Sequence, residues 1–432
     1  MNKILILISI FLFLNNCSSS KDESPLLGKK TKLAKAGNVK TILSEQAIGE
    51  QEFNVKLEVK VSEGKLGTSS DNNQNNIGEL DYQGLLEKIG KYKYKGFDNF
   101  EYIETKPIFY NENIIFYDNK GTIIFYDRDQ KVIWKKNFYS KSEKKLKPRL
   151  NLAIEKNILI ITDNVAKYYA LDLLTGEILW EKTNTVPFNS DIKINDDHVY
   201  VIDYKNTLRA ISIKDGSGLW KLQTEESLTK SNTKLSIIID NENIYFNNSI
   251  GDITAVNAKT GKLLWQLPTQ SNIIQKNAFQ LSSSKLVANE NSIIFSNNKN
   301  EIYSIDKKIG LINWKNEVNS ILKPIIIGKL IVTISSNGYL YLIDKNSGNI
   351  IRINDLYKDY DSKERSKTFP TGFIVARNKI YLTNDDGKLI IANINTGNIL
   401  NVVKIAGNKI SQPYVYENNL FLIRNGSIIK FN

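Results

Sequence analysis

The chain has 432 residues, with 58 Lys+Arg against 46 Asp+Glu for a formal net charge of +12, 41% hydrophobic content and a single Cys. That much apolar material can bury a large core, and one Cys excludes an internal disulfide. The positive balance does not point to nucleic acid: the lysines are scattered singly among Asn and Ile, with only short knots such as Lys141 to Lys147, which reads as a solvated basic surface.

The chain opens with one cation, Lys3, an apolar run from Ile4 to Leu14, and then Asn15, Asn16 and Cys17. These eleven positions, apolar but for Ser9, are too few to span a bilayer, which takes about 20, but they suit the core of a secretory signal. Ending that core at Cys17, with Leu14 three positions earlier, resembles a bacterial lipoprotein signal. The resemblance implies a signal peptide over residues 1–16 and lipidation of Cys17. Ser18 after it is compatible with sorting to the outer membrane.

Residues 17–84 shift to Ser, Lys, Gly, Asn and Gln, including a low-complexity run from Ser69 to Asn76, and read as a flexible tether. Within it, Phe53, Val55, Leu57, Val59 and Val61 alternate with polar residues, the pattern of a half-buried strand over 53–61. Such a strand either lies as a flap on its own body or adds to a sheet edge.

From residue 85 onward the chain repeats itself. Taking Trp180 as an anchor, the same position is held by Trp134, Trp220, Trp265 and Trp314, then by Arg352 and Asn401, at intervals of 46, 40, 45, 49, 38 and 49 residues. A Gly recurs four residues earlier, at 176, 216, 261, 310, 348 and 397, and a short polar residue eight earlier, as in Asp172 and Asn257. The first repeat departs, with Gln130 for the Gly and Asp127 one residue late. Upstream of these hairpins lie others with Asn-Gly or Asp-Gly turns, at Gly338, Gly387 and Gly426. Four short strands per period predict a propeller blade, with each Trp packed between neighbouring blades.

The last repeat, from Pro413 to Asn432, supplies three strands, and a ring with a missing strand exposes an unpaired edge. Ile89 to Tyr94 is the expected closing strand, with Phe53 to Val61 second in line. The fold predicted is all-β: an eight-bladed β-propeller with four-stranded blades, the last closed by an N-terminal strand.

The consensus Ala-x-Asp/Asn-x-x-Thr-Gly-x-x-x-Trp, fullest at Ala170 to Trp180 and Ala255 to Trp265, resembles the pyrroloquinoline-quinone (PQQ) type repeat. A WD40 type fits poorly, because His198 is the only histidine and no repeat Trp is followed by Asp. His198, within Asp196 to Tyr200, reads as a turn entering a strand rather than a catalyst. Quinoprotein dehydrogenases of this superfamily carry an adjacent Cys-Cys disulfide over the cofactor, which a chain with only Cys17 does not supply; no cofactor and no metal site are expected. Carboxylates are plentiful but fall mostly at turns, so no catalytic pair stands out.

A lipoprotein signal, a tether and PQQ-like blades together resemble the BamB family, scaffold lipoproteins of the outer-membrane β-barrel assembly machinery. The resemblance implies a non-enzymatic monomer within a hetero-complex, lipid-anchored at the periplasmic face of the outer membrane. Its partner would be a BamA-like barrel-forming subunit held through propeller loops. In the family one loop carries Leu-x-Leu-Arg after a repeat Trp; here the position after Trp220 offers Leu228, Thr229, Lys230 and Ser231, without the second Leu. A second loop, one blade later, is acidic in the family and here contains Leu281 and Ser283 with no acid. The rival expectations are a periplasmic enzyme, either a PQQ-dependent dehydrogenase or a hydrolase, and a propeller binding a small molecule or glycan in its central channel.

Overall fold

The Asp-x-x-Thr-Gly element works as a self-contained turn. Asp172 Oδ1 accepts from the Thr175 amide (2.8 Å) and hydroxyl (2.9 Å), the Thr175 hydroxyl accepts from the Glu177 amide (3.2 Å), and the Gly176 amide reaches the Asp172 carbonyl (2.8 Å). Closing so tight a loop requires φ near +70° at Gly176, a region that Gly enters without steric cost. Asn257 with Thr260 and Asp344 with Ser347 repeat the arrangement.

The structure, a computed structural model, describes residues 51–52, 75–226, 233–269 and 281–432. Eight antiparallel four-stranded sheets, each running from an innermost to an outermost strand, form the blades of a propeller. Blade 1 runs from Ile108–Tyr110 to Val132–Lys136, blade 2 from Leu150–Glu155 to Ile178–Thr183, and blade 3 from Lys193–Asn195 to Gly218–Gln223. Blade 4 runs from Ile237–Asp240 to Leu263–Leu267, blade 5 from Val287–Ala288 to Ile312–Asn316, blade 6 from Ile325–Ile327 to Ile350–Asp355, and blade 7 from Pro370–Ala376 to Ile399–Lys404. Two one-turn helices, α1 (Lys141–Lys145) and α2 (Ser362–Arg365), sit in connections between blades, and no helix among the described residues is long and apolar enough to cross a membrane.

The recurring Trp and Gly meet across the blade boundaries, as the sequence pattern predicts. Trp134, Trp180, Trp220, Trp265 and Trp314 each donate their indole N–H to a backbone carbonyl of the next blade, at Leu173 (2.9 Å), Ile213 (2.8 Å), Ala258 (3.0 Å), Lys307 (3.2 Å) and Lys345 (3.0 Å). Each of these carbonyls lies three residues before the turn Gly, and the Gly itself lies against the indole: a Cβ at Gly261 would fall 2.5 Å from the Trp220 ring. Where the Trp is lost, Arg352 does the same work, its guanidinium donating to the Ile394 and Asn395 carbonyls of blade 7.

Blade 8 closes as expected, with the strand Lys88–Lys93 antiparallel to Ser427–Phe431. The register places Gly90 opposite Lys430, the position the repeat Trp takes opposite Ala170 in blade 2. Here the large and small partners have changed places: Gly90 stands where the Trp would be, and Gln130 stands where the next blade's Gly would be, with φ +68°. The Gln130 side chain packs over Gly90 and accepts the Lys91 amide (2.9 Å). The turn into the closing strand is likewise rebuilt from two distant pieces: the Asn432 carbonyl accepts from Leu86 N (3.1 Å), and Asn432 N donates to the Glu87 carbonyl (3.0 Å). Leu86 adopts the left-handed conformation (φ +61°) that Gly176 has in blade 2. Aromatic pairs cement the seam with blade 1, including Tyr94 with Phe116 (4.8 Å) and Phe109 with Phe421 (4.8 Å between centroids).

Contact with the propeller begins before residue 85. Asn75 donates to the Ile239 carbonyl of blade 4 (2.6 Å), and Asn76 both donates to the Ile326 carbonyl (2.8 Å) and accepts from its amide (3.0 Å) in blade 6. Glu79–Leu80 pairs in parallel with the innermost strand of blade 7, and the buried Tyr82 donates to the Asn432 carbonyl (2.7 Å). Residues 75–82 thus form a strap across the innermost strands of four successive blades. Further upstream, Gln51–Glu52 pairs with the outermost strand of blade 6. The alternating stretch 53–61 lies outside the described residues.

Replacing Gly261, which combines φ +70° with the Trp220 contact, by Ala should cost about 1–3 kcal/mol from backbone strain alone. Gly218→Ala, with open space at its Cβ, should shift stability by no more than about 0.5 kcal/mol. Urea denaturation of the two variants checks the difference.

Candidate functional site

The innermost strands line a central channel, and the hairpin register identifies which residues form one layer of it. In seven blades the first hairpin closes on a pair three residues apart, such as Tyr110 with Asn113, Asn195 with His198, or Ile327 with Leu330, and in blade 5, whose ladder ends at Ala288 with Ile293, Asn289 N donates to the Ser292 carbonyl (3.0 Å) at the same spacing. Counting four residues back from each closing residue gives Lys106, Asn151, Asp191, Ser236, Lys285, Lys323, Gly372 and Gln412 for blades 1 to 8. All eight line the channel.

The channel has a wide chamber of about 760 Å³ and a neck of about 100 Å³, which share Lys285, Lys323, Phe373, Gln412 and Tyr414. Ile77 of the strap lines the neck. The wide chamber opens among Tyr102, Ile321 and Phe369, which are 78%, 39% and 51% exposed.

Lys285 sits between two carboxylates, 2.5 Å from Glu104 Oε1 and 2.5 Å from Asp191 Oδ2, while Lys234 is 3.8 Å from Asp191 Oδ1. Burial opposes ionisation of Glu104 and Asp191, but Lys285 and then Lys234 outweigh it, holding Asp191 well below the usual carboxylate range and lowering Glu104 as well. Burial likewise opposes charging of Lys285, and the two carboxylates hold it above the ordinary lysine value. Lys323 is different. Burial first, then Lys285 and Lys106, push its ammonium down to about 7. Lys193 at the neck is driven well below its ordinary value by burial and by Lys323 and Lys106.

Of the residues singled out in the sequence, the five Trp lie at blade boundaries, away from this channel layer. Leu228, Thr229, Lys230 and Ser231, like Cys17, fall outside the described residues. Leu281 is only 4% exposed, and the hydroxyl of Ser283 accepts from Asn247 Nδ2 (2.8 Å), so both are tied into the ring. Thr233 and Lys234, just after the first expected partner loop, and Ser282 and Ser283, in the second, share the wall of the wide chamber. These described residues beside the two expected loops therefore line one chamber. His198 begins the second strand of blade 3, stacked on Tyr200 at 6.1 Å. The lysine layer went unnoticed in the sequence; aligning the eight repeats on their first hairpin turn and reading the column four residues earlier would have exposed it.

Ring, blade and repeat together define an eight-bladed propeller of the PQQ-type repeat class. A sequence model of the family described as outer membrane protein assembly factor BamB matches residues 119–354, more than half of the chain, and the protein belongs to that family. Among solved structures it is similar to BamB from Moraxella catarrhalis, with a TM-score of 0.65 and 17% identity over 81% of this chain and 100% of that one. It is also similar to a europium-containing methanol dehydrogenase (TM-score 0.67, 11% identity, 82% of this chain and 89% of that one). The computationally designed Ika8 protein matches as well (TM-score 0.60, 12% identity, 81% and 99% covered). At these identities the likeness is one of fold. No curated protein matches the chain significantly.

Removing the ammonium between Glu104 and Asp191 by Lys285→Met leaves two facing carboxylates. Because these side chains keep 25–40% of their exposure, water screens part of the effect, and a loss of about 1–2 kcal/mol is expected at pH 7. Depressed carboxylates stabilise the fold above their unfolded pKa of about 4, and the raised lysine stabilises it below about 10.4. The deficit of the variant should therefore be constant from about pH 5 to 9 and shrink as the pH falls below about 4. Denaturation midpoints across that range provide the check.

Proposed function

We propose that the protein is a non-catalytic scaffold lipoprotein of the outer-membrane β-barrel assembly machinery. It is anchored through Cys17 at the periplasmic face of the outer membrane and holds the periplasmic part of a BamA-like barrel-forming subunit. Family membership over residues 119–354 is the observation that carries this reading. It is supported by the described residues beside the two expected partner loops, which line one chamber of the channel. The mouth of that chamber presents exposed Tyr102, Ile321 and Phe369. Large apolar side chains on an otherwise polar rim are suited to serve as anchors in a protein interface. The ring itself supplies rigidity, so that loops from different blades keep fixed spacing while the tether sets the distance to the membrane. In this reading the likeness to dehydrogenases reflects the shared blade and not a shared reaction.

A photoreactive amino acid placed at Phe369 or Leu228 should crosslink to the barrel-forming subunit in intact cells, whereas one at the exposed Lys221 on the outermost strand of blade 3 should not. Capture of no assembly subunit from either rim position would refute the interface. Cys17→Ala should move the protein from the membrane pellet to the soluble periplasmic fraction.

A further inference from the structure

The outermost strand of blade 3 differs from its counterparts at one position, two residues before the repeat Trp. In blades 1 to 7 a bulge sets this position against the third strand, as in Leu171 with Ile178 and Val256 with Leu263. Six blades place a branched apolar residue there: Val132, Ile178, Leu263, Ile312, Ile350 and Ile399. Blade 3 places Gly218, opposite Ile211. Nothing in the backbone asks for glycine, since Gly218 has no positive φ, and a Cβ built on it meets no atom within 4 Å. Beside this vacant position lies a cleft of about 310 Å³ between blades 2 and 3. Its volume falls at the small end of ligand sites, which run from about 300 to 1,000 Å³.

The cleft has an aromatic wall and a charged end. Tyr168 of blade 2 and Phe188, in the connection to blade 3, meet edge to face with ring centroids 5.6 Å apart, and Ile211 and Leu219 continue the apolar lining. Arg209 and Lys221 are cross-strand partners in blade 3, and both border the cleft. The guanidinium of Arg209 is fixed in place, because Nε and Nη2 both donate to Oδ2 of the fully buried Asp203 (3.0 and 2.9 Å). That pair neutralises one of the two cations and does not use Nη1. Lys221 is exposed, and none of the described residues lining the cleft is acidic.

Rings on one side and cations on the other fit a molecule built the same way, with a flat apolar ring and a carboxylate. An arginine presents a planar fork that matches a carboxylate, and one already anchored loses little freedom in binding it. We propose that this cleft binds a small aromatic carboxylate, its ring in the space that Gly218 leaves open beside Tyr168 and Phe188 and its carboxylate held by Lys221 and Arg209. These two cations line neither the chamber nor the neck of the channel, so the site stands whether or not the rim holds an assembly subunit.

The test titrates the folded protein with indoleacetate, and separately with indole and with acetate, at pH 7 and constant ionic strength, read by calorimetry. Indoleacetate should bind at least tenfold more tightly than either fragment. Gly218→Ile, which gives blade 3 the residue of blades 2, 5, 6 and 7, fills the space and should weaken binding at least tenfold. Lys221→Glu, a change at an exposed side chain that leaves the fold intact, sets a negative charge at the cleft and should weaken binding to the same extent. Lys135→Glu, at the equivalent exposed position of blade 1 where Val132 is present, should leave the affinity unchanged. Circular dichroism checks the fold of each variant. Indoleacetate binding no tighter than indole and acetate overturns the site, as does an affinity in Lys221→Glu equal to that in Lys135→Glu. A folded Gly218→Ile that keeps the parent affinity overturns the placement of the ring.

Discussion

The hydrogen bond from an indole N–H to a carbonyl of the neighbouring blade is the contact on which this ring depends. A single blade cannot cover both of its apolar faces, and stacking neighbours would leave blades free to slide unless something specified their relative position. An indole is wide enough to cover the boundary and carries one donor, which finds one acceptor, the carbonyl three residues before the turn Gly. The Gly completes the fit, because any side chain there would occupy the space of the ring. At the blade 6 to blade 7 boundary the guanidinium of Arg352 meets the same carbonyl, so the acceptor is the constant element and the donor is exchangeable.

This logic explains what could be read from the sequence. Trp180, Gly176 and Asp172 are close together along the chain and recur in most blades, so their spacing betrayed the architecture. The closing strand was legible for a related reason: the final repeat lacked a fourth strand, and the edge had to be filled. The exchange of Gly90 and Gln130 was not legible, because each residue looks like a departure until the two are seen facing each other. Nor was the strap. Asn75 and Asn76 end a polar low-complexity run that reads as linker, but their amides satisfy the exposed backbone edges of innermost strands. A side chain that stands in for a strand leaves no periodicity to detect.

The channel was hidden by the same repetition that revealed the ring. Residues shared by all repeats are those that face other blades. Those that face the axis differ from blade to blade, as Lys106, Asp191, Lys323 and Gly372 do within one layer. Differences among equivalent positions are where one propeller can be distinguished from another, and here they produce a basic interior beneath a rim with exposed aromatic side chains. The two regions are chemically distinct.

The split turn around Asn432 has a temporal meaning. Its hydrogen bonds join residues 345 and 350 positions apart, among the longest sequence separations in the fold. Blades 1 to 7 are each local and can form as the chain emerges, but the seam must wait for the final strand to find Lys88–Lys93. Until then the early strand and the flank of blade 1 remain open edges, exposed to any other extended chain nearby. Synthesis therefore leaves this protein for some time as an unlatched spiral, and closure of its eighth blade is the step that commits it to a ring.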